Sequence, residues 1–241
     1  AVTAETLARS GASDIRQLNQ LSPSLLVSST SSEAAGGGAR IRGIGTVGDN
    51  PGLESSVATF VDGVYRSRAG VGLTELGAID RIEVLRGPQG TLFGRNASAG
   101  LIHVITARPS FDLGGTLEAT YGNYDAMRLV GGITGPVSDT ISARLDGVYS
   151  KRDGFLKDVT SGRTVNNRDR YMLRGQMLIE PNTDFSLRLI ADYSDRAEEC
   201  CAAPYYPASL VTAGAGGTIN RSANPIAATL RALGGTINDT P

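Results

Sequence analysis

The chain has no tryptophan, one histidine and two cysteines in 241 residues, and each scarcity removes a class of function. With His103 alone, a histidine-rich metal centre or a serine–histidine nucleophile pair has too few parts. No catalytic residue is identified, an enzyme is not expected, and neither a resident metal nor another cofactor is required. The two cysteines are adjacent, Cys200 and Cys201, which is neither a zinc-ligand spacing nor a disulfide framework. An excess of charge of one sign is missing too. The 23 basic residues stand against 24 acidic ones, so bulk charge holds no polyanion and a nucleic-acid partner is not expected. No run approaches the ~18 apolar residues of a membrane-spanning helix, which excludes a helical membrane protein but leaves membrane strands open, because each strand's signal is weak. Residues 1–6 lack a basic segment followed by an apolar one, so a secretion signal is expected to have been removed.

Glycine, by contrast, is abundant at 31 residues, more than a packed helical domain accommodates at about 1 kcal/mol for each interior position. The text changes near Pro109. Before it, Asp14 to Leu21 carries apolar residues at helical spacing, with Ser13 as N-cap and Pro23 beyond the end. Strand-like runs follow at 39–43, 58–61, 81–85 and 101–106, separated by glycine-rich connections. This half reads as a compact α/β domain.

From residue 115 onward the pattern is alternation with a period of two. Ile141, Ala143, Leu145, Gly147 and Tyr149 face one side while Ser142, Arg144, Asp146 and Ser150 face the other. The same pattern sets Tyr171, Leu173, Gly175, Met177 and Ile179 against Arg170, Arg174, Gln176 and Glu180. It recurs in Phe185, Leu187, Leu189, Ala191 and Tyr193 against Ser186, Arg188, Asp192 and Ser194. With weaker segments at 116–124 and 126–134, five strands of about ten residues are expected, long for a water-exposed sheet and suited to a tilted membrane strand. The links are short at 123–125, 135–139 and 180–184, the last two containing proline, and long at 152–169 and after 196. If the first strand runs outward, both long links lie outside and both proline turns inside, as in outer-membrane barrels. Five strands cannot close, and an open edge in hydrocarbon leaves unpaired amides. The chain is therefore expected to be the amino-terminal portion of a larger barrel protein.

The segment 79–106, which includes Ile82-Glu83-Val84-Leu85-Arg86-Gly87-Pro88-Gln89-Gly90-Thr91-Leu92-Phe93-Gly94-Arg95-Asn96-Ala97, closely resembles the plug signature of the TonB-dependent outer-membrane transporters. Arg40-Ile41-Arg42-Gly43 and Val61-Asp62-Gly63-Val64-Tyr65 match two further plug motifs in the expected order. The resemblance implies an α/β plug domain, here 1–108, inside a transmembrane antiparallel β-barrel of 22 strands, of which 109–241 would supply about the first five with their extracellular loops. It implies a bacterial outer-membrane location and active import of a scarce nutrient, a ferric siderophore or similar chelate foremost. The implied partners are outer-membrane lipid, the small-molecule ligand and the TonB–ExbB–ExbD energy-transducing complex. A passive porin-like channel and a surface signalling receptor without transport are the alternatives.

The strand at 81–85 alternates Arg81, Glu83 and Arg86 with an apolar face, so its charges are expected to meet a wet wall. Arg42, Arg81, Glu83 and Arg86 are the expected plug–barrel contacts. Gly43-Ile44-Gly45-Thr46-Val47-Gly48 formally fits a dinucleotide fingerprint, but Pro51-Gly52 follows where the phosphate-binding helix would have to begin. The stretch is read instead as a loop at the plug apex, where family members contact ligand. Thr46, Asp49, Asn50, Arg66 and Arg68 are the candidate ligand-binding residues, and the two arginines suit an anionic chelate. His103, alternating with Leu101 and Ile105, reads as a packed histidine before a ligand. In an oxidising exterior loop, Cys200 and Cys201 favour a vicinal disulfide over a bridge to cysteines further along or metal capture with Glu198 and Glu199. Residues 224–234 carry helix signals.

Overall fold

The computed structural model describes residues 1–10, 15–28, 38–46, 54–67, 77–158, 161–199, 209–213, 219–223, 229 and 232–234. The chain divides into two compact units, Ala1–Cys201 and Ala202–Pro241.

Within the first unit, one five-stranded sheet comprises β1 (Val2–Thr3), β4 (Val57–Val61), β5 (Val64–Arg66), β6 (Ile79–Arg86) and β7 (Gly100–Thr106) in the order β1-β6-β7-β4-β5. β4 and β7 pair in parallel; the other neighbours are antiparallel. A parallel pair is covered on both faces, and accordingly Val57, Ala58, Leu101 and Ile102 are all at most 2% exposed. On one face, Leu7 of helix α1 (Ala4–Ser10) and Leu18 of a 3₁₀ turn (Ile15–Gln20) pack with Ile82, Ile102 and Val104. Leu25 and Val27 of β2 (Leu25–Ser28) and Ile41 of β3 (Gly38–Ile41) join that cluster. On the other face, Phe60, Ala97 and Leu101 pack against Phe93 of the single-turn helix α2 (Gly90–Phe93). Gly100 must be glycine: its φ is +140°, and a Cβ there would lie 2.3 Å from the Leu85 carbonyl oxygen. The runs expected at 39–43, 58–61, 81–85 and 101–106 coincide with β3, β4, β6 and β7, whereas β1, β2, β5, α1 and α2 are too short to leave a period in the sequence.

The second sheet of this unit is a meander of β8 (Gly114–Gly122), β9 (Ala126–Ser138), β10 (Ile141–Arg152), β13 (Arg168–Asn182) and β14 (Phe185–Arg196), in the order β14-β13-β10-β9-β8. Among the described residues its outer strands β8 and β14 have one neighbour each, so this sheet is open. A short hairpin, β11 (Leu156–Lys157) and β12 (Thr164–Val165), occupies the long link between β10 and β13. The Asp153 N–H donates to Tyr124 O at 2.8 Å, tying that link to the turn at the same end of the sheet.

The burial of this sheet is inverted relative to a water-exposed sandwich. Leu145 is 56% exposed while its neighbour Asp146 is 1% exposed. Leu117, Ile133, Leu173, Met177, Leu189 and Tyr193 are exposed, and Ser142, Ser150, Arg170 and Gln176 are buried. Apolar side chains outside and polar ones inside are what a hydrocarbon solvent with a wet lumen selects. Tyr149 pairs with Tyr171, whose ring lies 5.9 Å from Tyr193, and Phe185 stands at the other end of β14, the positions of two interfacial girdles.

One detail differs from the sequence reading. Pro136 and Pro181 lie inside β9 and β13, and the turns are the two-residue 139–140 and 183–184. Both prolines stand at register shifts, between Ile141 and Ser142 on the partner strand and between Ile179 and Asn182. The ladder tolerates a missing N–H at such bulges.

The second unit contains an antiparallel pair, β15 (Ser209–Ala213) and β16 (Ile219–Ala223). The helix expected at 224–234 falls largely outside the described residues.

Candidate functional site

The β4–β5 connection is Asp62-Gly63, with φ of 48° and 82°, the tight left-handed hairpin turn that Asp-Gly favours. That backbone swings the Asp62 carboxylate back across the sheet onto the end of β7. It accepts the Thr106 N–H at 3.0 Å and the Thr106 hydroxyl at 2.7 Å. The Asp62 N–H itself donates to Val104 O at 2.9 Å. The Gly63 N–H donates to His103 Nε2 at 3.1 Å. His103 is further packed edge-on against Phe60 and Phe93, and its Nδ1 lies 3.7 Å from Glu83. It is a packed histidine that holds a turn.

The second sheet meets this corner with its polar face. The Arg188 guanidinium of β14 donates to Thr106 Oγ1 at 2.7 Å, to Gln176 Oε1 at 2.6 Å and, at 3.5 Å, to Asp62 Oδ1. Gln176 of β13 donates to Ala107 O at 3.0 Å. Nearby, a Cβ on Gly77 would lie 2.6 Å from Met172 Cε and 3.8 Å from Val148 Cγ2, so glycine there lets the two sheets touch. Further along β14, Asp192 accepts from Arg66 of β5 at 3.2 Å and from Arg174 of β13 at 3.0 Å. The interface between the sheets thus combines charge-assisted bonds, which give geometric register, with an apolar contact of Val148 and Met172 at Gly77.

The expected plug–barrel contacts need correcting for the five wall strands of this chain. Arg81 pairs with Glu83 at 2.8 Å and with Asp80 at 2.6 Å, inside the first sheet. The hydrogen bond from Arg81 holds the Glu83 carboxyl below the usual carboxylate range, and the same pair holds the guanidinium above its own. Arg42, at φ +55°, uses its N–H on Ser24 O at 2.8 Å, and Arg86 supplies its carbonyl to Gln89. Neither arginine makes an ion pair among the described residues. The bonds to the wall are made by Asp62, Arg66, Thr106 and Ala107. Alternation along β6 marks a charged face but cannot say that two of its charges also pair with each other. Asp62 lay in the Val61 to Tyr65 motif, and Arg188 and Gln176 lay on the wet face, so each carried a signal, but nothing in the sequence joined them.

Of the candidate ligand residues, Thr46 has its hydroxyl occupied: it accepts the Ser56 N–H at 2.8 Å and donates to Glu54 O at 2.9 Å, closing the base of the connection between them. Arg66 is on the wall pair with Asp192. Asp49, Asn50 and Arg68 lie outside the described residues, as do Cys200 and Cys201. Among the described residues no cluster of three or more His, Cys, Asp or Glu could hold a metal ion.

Residues 1–101 match the family profile of the TonB-dependent Receptor Plug Domain. The chain is 30% identical over 128 residues to the pesticin receptor of Yersinia pestis, covering 52% of this chain and 17% of that protein. It is 27% identical over 183 residues to the ferric enterobactin receptor of Pseudomonas aeruginosa, covering 68% and 24%. Among solved structures, it superposes on the ferric yersiniabactin uptake receptor of Yersinia pestis with a TM-score of 0.74 at 22% identity, covering 80% of this chain and 30% of that one. The pyoverdine-bound outer-membrane receptor of Pseudomonas aeruginosa gives a TM-score of 0.66 at 22% identity, covering 80% and 27%. The chain therefore spans about a sixth to a quarter of the length of these two curated relatives.

Proposed function

This chain belongs to the TonB-dependent outer-membrane receptors, with their plug domain followed by the opening strands of their β-barrel, and from that premise we propose that the complete protein imports a ferric siderophore or similar chelate. The family consists of receptors rather than enzymes, and they reside in the bacterial outer membrane. In this reading 1–108 form the plug and 109–241 the first wall strands with their extracellular loops. Arg66, Arg68, Thr46, Asp49 and Asn50 frame the ligand-facing apex, and the TonB–ExbB–ExbD complex supplies the energy.

The observation that carries the proposal is the seating of the first sheet against the wet face of an inverted second sheet, through Arg188, Gln176 and Asp192. A stopper seated through polar bonds can exchange them for bonds to water as it is displaced. A passive channel has no use for such a stopper.

Two measurements on the complete protein test the reading. Liposome swelling should show little solute flux through the intact protein and free flux once the plug is deleted. Growth of a deletion strain on single ferric chelates should fail for at least one chelate and return with the gene, but not when TonB is absent. Free flux through the intact protein, or chelate growth that does not depend on TonB, would refute the importer.

A further inference from the structure

The hydrogen bonds between plug and wall divide into two groups of different character. Asp192 is shared: Arg66 of the plug and Arg174 of the wall both donate to it, so when Arg66 leaves, the carboxylate keeps a partner. The corner around Arg188 is different. One guanidinium, 15% exposed, reaches three elements at once: the end of β7 at Thr106, the β4–β5 turn at Asp62, whose side chain is 8% exposed, and β13 at Gln176.

We propose that Arg188 is the wall-side anchor of the plug, and that the plug leaves its seat by parting along the line between Arg188–Gln176 and Asp62–Thr106. This deepens the importer reading and rests on it. The geometry favours that line because each charged group keeps hydrogen bonds on its own side once separated. Asp62 keeps the Thr106 N–H and hydroxyl inside the plug, and Arg188 keeps Gln176 Oε1 through both Nε and Nη2 inside the wall. The broken bonds are the two from Arg188 to Thr106, at its hydroxyl and its carbonyl, with Arg188 to Asp62 and Gln176 to Ala107. Asp62 and Arg188 lose each other, but each charge keeps neutral hydrogen-bond partners on its own side. An anchor that loses four bonds but leaves both of its charges hydrogen-bonded is firm at rest and separable under force. A buried ion pair with no second partner would strand a bare charge when broken.

The complete protein is assayed in whole cells for passive influx of an antibiotic too large for ordinary porins, with heat-modifiable gel mobility reporting barrel assembly. Arg188→Met should raise influx at least about tenfold, the shift that accompanies loss of a charge-assisted hydrogen bond. Arg188→Lys, which keeps the charge but not the fork, should fall between. Thr106→Val changes only the plug side and should also raise influx, with the Arg188→Met, Thr106→Val double variant well short of the product of the two single effects. Arg163→Ala, in an exposed pair with Glu199 at the β11–β12 hairpin, should leave influx at the wild-type value. Should Arg188→Met prevent barrel assembly, Thr106→Val decides alone: leak supports the anchor and its absence overturns it. Wild-type influx in an assembled Arg188→Met protein also overturns it. Deletion of the plug serves separately, because a plug-deleted barrel that does not leak refutes the stopper reading itself rather than the anchor.

Discussion

Replacing Leu145 by arginine puts the inverted wall to its most direct test. Leu145 lies four residues from Ile141 and four from Tyr149 on the outward face of β10. At ~3.3 Å per residue it is about 13 Å along the strand from each. Tilted by about 40°, that is about 10 Å of height from each, within an apolar band ~25 Å tall, so Leu145 sits near the midplane. An arginine there should cost about 2–4 kcal/mol, and at Tyr149, near the interface, only about 0–1 kcal/mol. A sheet facing water gives a different answer: at 56% exposure, Leu145→Arg would change stability by at most about 0.5 kcal/mol. Denaturant unfolding of the complete protein in phosphatidylcholine vesicles, read as a midpoint shift at unchanged slope, separates the two. Equal costs at 145 and 149, or a cost below about 1 kcal/mol at 145, would refute the assignment of this face to lipid.

On the inner face, Asp146 receives Arg144 Nε and Nη2 at 2.8 Å each. Asp146→Ala should cost about 3–5 kcal/mol by leaving that guanidinium without its carboxylate, and an Arg144→Leu, Asp146→Leu double variant should recover most of it, as measured by the same unfolding midpoint. Gly100→Ala forces a side chain into φ +140° and against the Leu85 carbonyl, so the plug should become sensitive to protease in the assembled protein; unchanged resistance would mean that the β6–β7 ladder yields. Because the Glu83 carboxyl is held below its usual range by Arg81, the pair contributes above the unfolded carboxylate value of about 4.3 and is lost as pH falls through the lower folded value. Thermal melting of wild type and Glu83→Gln should therefore converge in acid, and a gap that persists there would assign the effect elsewhere. For Cys200 and Cys201, the vicinal disulfide predicts no alkylation mass adduct before reduction and two after it.

Two local properties were written into the sequence. The period of two over 141–150, 170–180 and 185–194 fixed the wall strands and their two faces, because a strand turns successive side chains to opposite sides whatever surrounds it. Gly87, Gly94 and Gly100 and the Asp62-Gly63 turn, all at positive φ, are local demands of the backbone, so the motifs of the first half could be recognised without knowing what they packed against. What the chain alone could not disclose was pairing across long separations. Arg81 and Glu83 had the look of wall contacts and also pair with each other; Arg188 was one more polar residue on a wet face until the fold brought it within 2.7 Å of Thr106, 82 positions away in the chain. A hydrogen bond depends on distance and direction between groups whose positions the whole fold determines. The partners that hold the plug were therefore decided only when the two sheets came together.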